Sequence, residues 1–153
     1  MLTIVSFILF WLAIISSIKN PLWPYSIIVV SVLTIIQTNR AGRIGRYFEW
    51  VSILIYLLIL PFGIKIKNLG FVLFSLGGVL NCIAILANNY SMPVDERICL
   101  KMGLVLPPGY KFIDSFTKFK LLCDWLYFPY AGQIFSIGDV LLYISFAVIW
   151  RYH

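Results

Sequence analysis

From Leu69 to Asn88 the chain carries no charged residue, and it leaves this run through Asn89-Tyr90-Ser91-Met92-Pro93-Val94. An uncharged apolar run of this length is long enough to cross a bilayer as a helix. Two amides are embedded in it, Asn81 and Asn88, seven residues apart. At 3.6 residues per turn that spacing puts them on nearly one helix face. An amide in hydrocarbon is costly unless it finds a hydrogen-bond partner, so that face is expected to point into protein. The Met-Pro-Val exit stops the helix, because Pro cannot continue it.

Composition decides between a membrane and a soluble core. The chain is 61% hydrophobic and 12% charged, with a mean hydropathy of +0.95. A soluble domain carries about a quarter charged residues. The shortfall assigns an integral membrane protein, and 153 residues make one transmembrane helical domain over 1–153. The net charge of +6 then speaks for orientation and for contact with anionic lipid. The basic residues stand singly or in short loops, and no nucleic-acid partner is expected. Cys82, Cys99 and Cys123 are odd in number and form no C-x-x-C pair, which argues against a disulfide framework and a zinc site. The sole histidine is His153. No metal centre is expected, and no nucleotide or hydrolase fingerprint points to a cofactor.

Five apolar runs follow in order: Leu2 to Ile18, about Leu22 to Gln37, about Tyr47 to Ile64, Leu69 to Asn88, and Ser136 to Trp150. The first has no Lys or Arg before Lys19, so it reads as a retained helix in preference to a cleaved signal. Arg40, Arg43 and Arg46 mark a basic loop before the third run, which carries Glu49 in its first turn and is expected to end or kink at Pro61 and Gly63. Small residues Gly70, Ser75, Gly77 and Gly78 give the fourth run a surface that a neighbouring helix can approach closely. Between the fourth and fifth runs, Phe112, Phe116, Phe119, Leu122 and Leu126 recur at helical spacing. They predict an amphipathic helix over Lys111 to Tyr127 lying in the membrane interface, with Lys111, Lys118 and Lys120 at anionic headgroups. The expected fold is thus all-α, a bundle of about five transmembrane helices with one interfacial helix. With five spans, one side of the membrane holds eight of the basic residues and the other holds Lys19, Lys65, Lys67 and Arg151. That asymmetry places the long loop in the cytoplasm of a multi-pass cell-membrane protein.

Asn81, Asn88-Asn89-Tyr90-Ser91-Met92-Pro93-Val94, Cys123-Asp124-Trp125 and Ser136-Ile137-Gly138-Asp139 together resemble a domain-of-unknown-function family of small multi-span bacterial membrane proteins, mainly from Gram-positive organisms. The family pattern has an N-G-G-x-M-P-V helix exit and an S-x-G-D helix start. Here Asn89-Tyr90 stands in place of the two glycines, and Cys123 precedes Asp124 where glycine is common. The resemblance implies a membrane protein with a motif-bearing end and implies no activity.

The candidate binding residues are Asn81, Asn88, Asn89, Asp124, Ser136 and Asp139. Each has a structural reading beside the functional one. Asn81 can tie two helices, Asn88 and Asn89 can cap one, and Ser136 with Asp139 has the spacing of a capping box. The long loop brings the end of the fourth run and the start of the fifth to one membrane face. Asn88, Asn89, Asp124 and Asp139 can therefore converge there, with Asp139 using one oxygen as a cap and turning the other to the cluster. Three functions stay open on these residues. The first is a non-enzymatic subunit or accessory component that binds another membrane protein or a second copy. The second is a binder or transporter of a small molecule or ion. The third is a membrane enzyme acting on lipid or peptide through Asp124 and Asp139.

Overall fold

The computed structural model describes residues 43–129 and 132–151. The first two apolar runs, Leu2 to Ile18 and Leu22 to Gln37, lie outside the described residues. The other three are helices: α1 (Arg43–Lys65), α2 (Leu69–Ala87) and, at the C-terminal end, α4 (Ile137–Arg151). Among the described residues α2 is the one helix long and apolar enough to cross a membrane, with a shorter apolar stretch at Ile137–Val148. The five-span bundle is thus represented by three helices, only one of which meets that test. Helix α1 starts earlier than its apolar run and continues through Pro61 to Lys65. Glu49 consequently sits beyond the first turn, where the end-charge of the helix has largely fallen away, and it is buried at 4% exposure.

Asn68 starts α2 by accepting a hydrogen bond from Phe71 N at 3.3 Å. The turn before it is tight, with Asn68 N donating to Gly63 O at 3.0 Å, so α1 and α2 form an antiparallel hairpin. Ring contacts mark the seam: Phe62 with Phe71 near the turn, and Tyr56 with Phe74 deeper in. Gly78 lies directly under the Tyr56 ring, and any side chain there would overlap it. On its other flank α2 meets α4. A Cβ on Gly77 would stand 2.5 Å from Gly138 O, and one on Gly138 would overlap the Asn81 amide. These glycines let two backbones touch, the small-residue approach expected of α2. Tyr56, Phe74 and Cys82 form the core of the helical part. Phe74 also packs on Phe146. Because both neighbours run antiparallel to α2, the Arg43 end of α1, the Asn88 end of α2 and the Ser136 start of α4 share one end of the bundle.

The intervening chain forms a cap at that end. It contains β1 (Met92–Val94), α3 (Glu96–Met102), β2 (Tyr110–Phe112), a 3₁₀ turn (Lys120–Leu122), β3 (Leu126–Phe128) and β4 (Gln133–Phe135). The protein is therefore mostly helical but not all-α. β1 and β2 pair in parallel, Met92 opposite Tyr110 and Val94 opposite Phe112. Parallel strands need a crossover, and α3 with the loop after it supplies one. β3 and β4 are antiparallel, Leu126 opposite Phe135. Asp124 joins the two pairs through a parallel bridge to Val94.

No α-helix forms over Lys111 to Tyr127, and the amphipathic interfacial helix is corrected to strand, turn, a single 3₁₀ turn and strand. The reason is local competition for backbone groups. Asp114 Oδ1 accepts from Phe116 N at 3.0 Å and from Thr117 Oγ1 at 2.7 Å. Ile113 N donates to Val94 O at 2.9 Å. Side-chain capture of this kind diverts a segment from helix to turn. Phe119 then adopts φ 51°, which no right-handed helix accommodates. The helical spacing of Phe112, Phe116 and Phe119 marks no buried face, since all three are exposed.

Candidate functional site

Three of the six candidate residues meet at the α2–α4 contact. Ser136 precedes α4, and its Oγ accepts from Asp139 N at 2.9 Å. In return Asp139 Oδ2 accepts from Ser136 N at 3.1 Å. This is the reciprocal capping box that the Ser-x-x-Asp spacing predicts, with Asp in the position that Glu or Gln takes more often. The other carboxylate oxygen, Oδ1, accepts from Asn81 Nδ2 at 2.8 Å. Asn81 Oδ1 accepts from Ser136 Oγ–H at 2.7 Å. The four bonds close a ring through Asn81, Ser136 and Asp139, so the helix start and the interhelical tie are one structure. The ring also fixes the Asn81 amide: turned over, its carbonyl oxygen would face a carboxylate. Ser136 is fully buried, Asn81 is 7% exposed, and Asp139 is half-buried.

Asp139 thus caps α4 with one oxygen, as expected, but its other oxygen meets Asn81 and not the expected cluster with Asn88 and Asp124. Asn88 works about two turns further along α2. Its Nδ2 donates to Ala84 O at 2.8 Å and to Lys118 O at 2.9 Å, and its Oδ1 accepts from Lys118 N at 3.0 Å. One side chain here replaces a backbone strand partner for Lys118 and docks the Asp114–Leu122 segment on the end of α2. Asn88 is the C-cap residue of α2, with φ −114°, and is 2% exposed. Asn89 and Tyr90 follow with φ 59° and 62°. Two successive left-handed residues turn the chain sharply out of the helix, a conformation Asn tolerates better than Tyr. The Asn89 side chain is exposed.

Asp124 is placed in the cap. Its N donates to Pro93 O and its O accepts from Asp95 N, both at 2.9 Å. The side chain is 6% exposed and lies close enough to two thiols to act on them. Burial, and then the charge of Asp124, pushes Cys123 up to about 11. Burial pushes the Cys99 thiol up as well, followed by the charges of Asp95, Asp124 and Glu96. Neither is an activated nucleophile, since the reactive form is the thiolate. Cys99 is 1% exposed and Cys123 is fully buried. Among the described residues no cluster of His, Cys, Asp or Glu could hold a metal ion.

The candidates therefore sort into three places: a ring at Asn81, Ser136 and Asp139, a docking amide at Asn88 beside the exposed Asn89, and a buried carboxylate at Asp124 in the cap. Two contributors were not among the sequence candidates. Gly138 lets α2 come within reach of Asp139, and the Gly in Ser-Ile-Gly-Asp was its only sequence signal. The backbone of Lys118 is the partner of Asn88, and nothing in a side-chain pattern marks a backbone partner. No curated protein and no solved structure matches the chain. A family model described as a family of unknown function, DUF5317, matches residues 15–150. The match spans nearly all of the chain, cap and helices together, and the protein belongs to that family.

Proposed function

We propose that the protein is a non-enzymatic component of a membrane assembly, a subunit or accessory protein that presents its folded cap at one face of the bilayer. The supporting observation is the closed ring at Asn81, Ser136 and Asp139. Three of the candidate side chains, Asn81, Ser136 and Asp139, are spent on each other and hold α4 to α2. Recognition then falls to surface shape and apolar contact. In this reading α1, α2 and α4 cross the membrane, and the cap faces the cytoplasm. The basic count favours that side, and the fold is consistent with it, because Arg43 and Arg46 share the bundle end that carries the cap.

Extraction of the full chain into lipid nanodiscs from its native membrane, followed by native mass spectrometry, tests the proposal. A stoichiometric protein partner or a defined homo-oligomer is expected. A monomeric chain holding a stoichiometric small molecule would replace this reading with that of a binder or transporter. Turnover of a lipid or peptide that Asp139→Asn and Asp124→Asn both abolish would replace it with an enzyme.

A further inference from the structure

We infer that the Asp114–Leu122 segment seats in the headgroup layer of an anionic membrane leaflet, beside the end of α2. The inference rests on the membrane reading of α2 proposed above.

The height of the segment is set by its anchors. Asn88 holds both backbone groups of Lys118. Leu122 packs on the cluster of Ala84, Ile85 and Met92. Ala84 lies three residues before the end of α2, about 5 Å down the axis at 1.5 Å per residue. The 3₁₀ turn Lys120–Leu122 therefore sits alongside the last turn of α2, not above it. If α2 spans the bilayer, this is the depth of the headgroups.

The composition of the segment suits that depth. Phe116 is 86% exposed, Phe119 59% and Leu121 70%. Lys118 and Lys120 alternate with them and are also exposed. The one acid in the segment, Asp114, is turned back onto Phe116 N and Thr117. Beside the segment, Trp125 Nε1 donates to Leu121 O at 2.9 Å. Indoles favour this layer, with one polar handle and an apolar body. A protein partner is the competing occupant. Interfaces between proteins are depleted in Lys, whereas at a leaflet surface each lysine can lay its stem on the acyl boundary and raise its ammonium to a phosphate. Lysines placed between bulky apolar residues fit the leaflet.

The test uses the full chain carrying Phe116→Cys, labelled with an environment-sensitive fluorophore. The native thiols are buried and spared in the folded protein. A second sample carries the label at Leu76→Cys, on the partly exposed side of α2. Both are reconstituted in vesicles of phosphatidylcholine, with and without phosphatidylglycerol. The expected result at Leu76 is quenching by a spin label deep in the acyl chains. At Phe116 it is quenching by a shallow spin label, protection from acrylamide, and about a twofold gain in shallow quenching with phosphatidylglycerol. Lys118→Gln with Lys120→Gln should remove that gain. Acrylamide access at Phe116 with a deep Leu76 overturns the inference alone. So does protection at Phe116 from both quenchers, which would mean that a protein covers it. No lipid quenching at Leu76 overturns the membrane reading itself.

Discussion

Asn81 and Asp139 stand 58 residues apart in the chain and share a hydrogen bond of 2.8 Å. The bond joins the middle of one helix to the first turn of another, and Ser136 completes it from the same turn. Removing either partner leaves a polar group without its mate. Asn81→Ala and Asp139→Ala should each destabilise the fold by about 1–3 kcal/mol. The double variant should cost less than their sum, with a coupling of about 0.6–2 kcal/mol. Unfolding in mixed detergent micelles reads both quantities. Strict additivity would mean that the bond contributes nothing. Asp139→Asn should be no milder, at about 1–3 kcal/mol, because the amide has one oxygen for two donors: if it caps Ser136 N, its NH2 faces Asn81 Nδ2.

Gly77 and Gly138 predict the opposite kind of failure. Neither position has room for a Cβ without moving backbone or the Asn81 amide. Gly138→Ala should force α4 away from α2 and stretch the Asn81 bond, at about 1–3 kcal/mol. Gly103→Ala is the contrast, since it meets no neighbour and is strained only by its φ of 62°. Thermal stability of the two variants in one detergent checks the comparison. An unchanged melting point for Gly138→Ala would contradict the close contact.

Asn88→Ala should act on the cap before the bundle. It strips the two Asn88 hydrogen bonds from the Lys118 backbone, leaving the Asp114–Leu122 segment held at its far end, through Leu122 and the Trp125 bond to Leu121 O. Hydrogen exchange at Lys118 N–H should quicken well before exchange in α2 does. A uniform loss of protection would show that cap and helices open as one unit.

The cap thiols give a pH-dependent prediction. Burial and nearby carboxylates keep Cys99 and Cys123 protonated, Cys123 up to about 11. In folded protein at pH 8 both should resist alkylation, and unfolding should restore ordinary rates. Cys99 thus fails as a reporter of membrane sidedness, a use its place in the long loop would suggest. A label on Val105→Cys, at a position 91% exposed, serves that purpose. Rapid labelling of Cys123 in the native state would contradict its burial.

Asp114 carries the reverse shift. Its hydrogen bond from Thr117 leads the causes that hold it below the usual carboxylate range, with Lys111 and backbone donors adding to the effect. Its folded-state value lies below the unfolded one, so the stabilisation of the 114–117 turn is present above the ordinary carboxylate pKa and fades as pH falls through the depressed one. Exchange at Phe116 N–H should rise with acid only in that range. Asp114→Asn should make that exchange insensitive to pH after correction for intrinsic rates.

Where information is local, the chain can be read directly. Helix α2 ends where Asn88 and Pro93 say it should, and Ser136 and Asp139 cap α4 at the spacing of a known motif. The segment after Tyr110 is different. Its apolar residues recur at helical period, yet Asp114 and Asn88 claim its backbone from the side. Periodicity carries no record of which backbone groups a distant side chain will take. The same limit hid the true partner of Asp139. Asn81 was expected to find a mate, but a separation of 58 residues left no way to say which. The short strands met a further obstacle. At three residues each they are too brief for alternation to show, and β1 is buried throughout.

The tie between Asn81 and Asp139 also sets an order of events during synthesis. Asn81 leaves the ribosome 58 residues ahead of its partner, and at about 5–20 residues per second several seconds separate them. In the proposed membrane setting, α2 enters the bilayer with an amide that has no mate until α4 arrives. A chain stopped before Ser136 would keep that amide bare. Quality control that senses polar groups in lipid would then have a built-in mark by which to tell a finished molecule from an unfinished one.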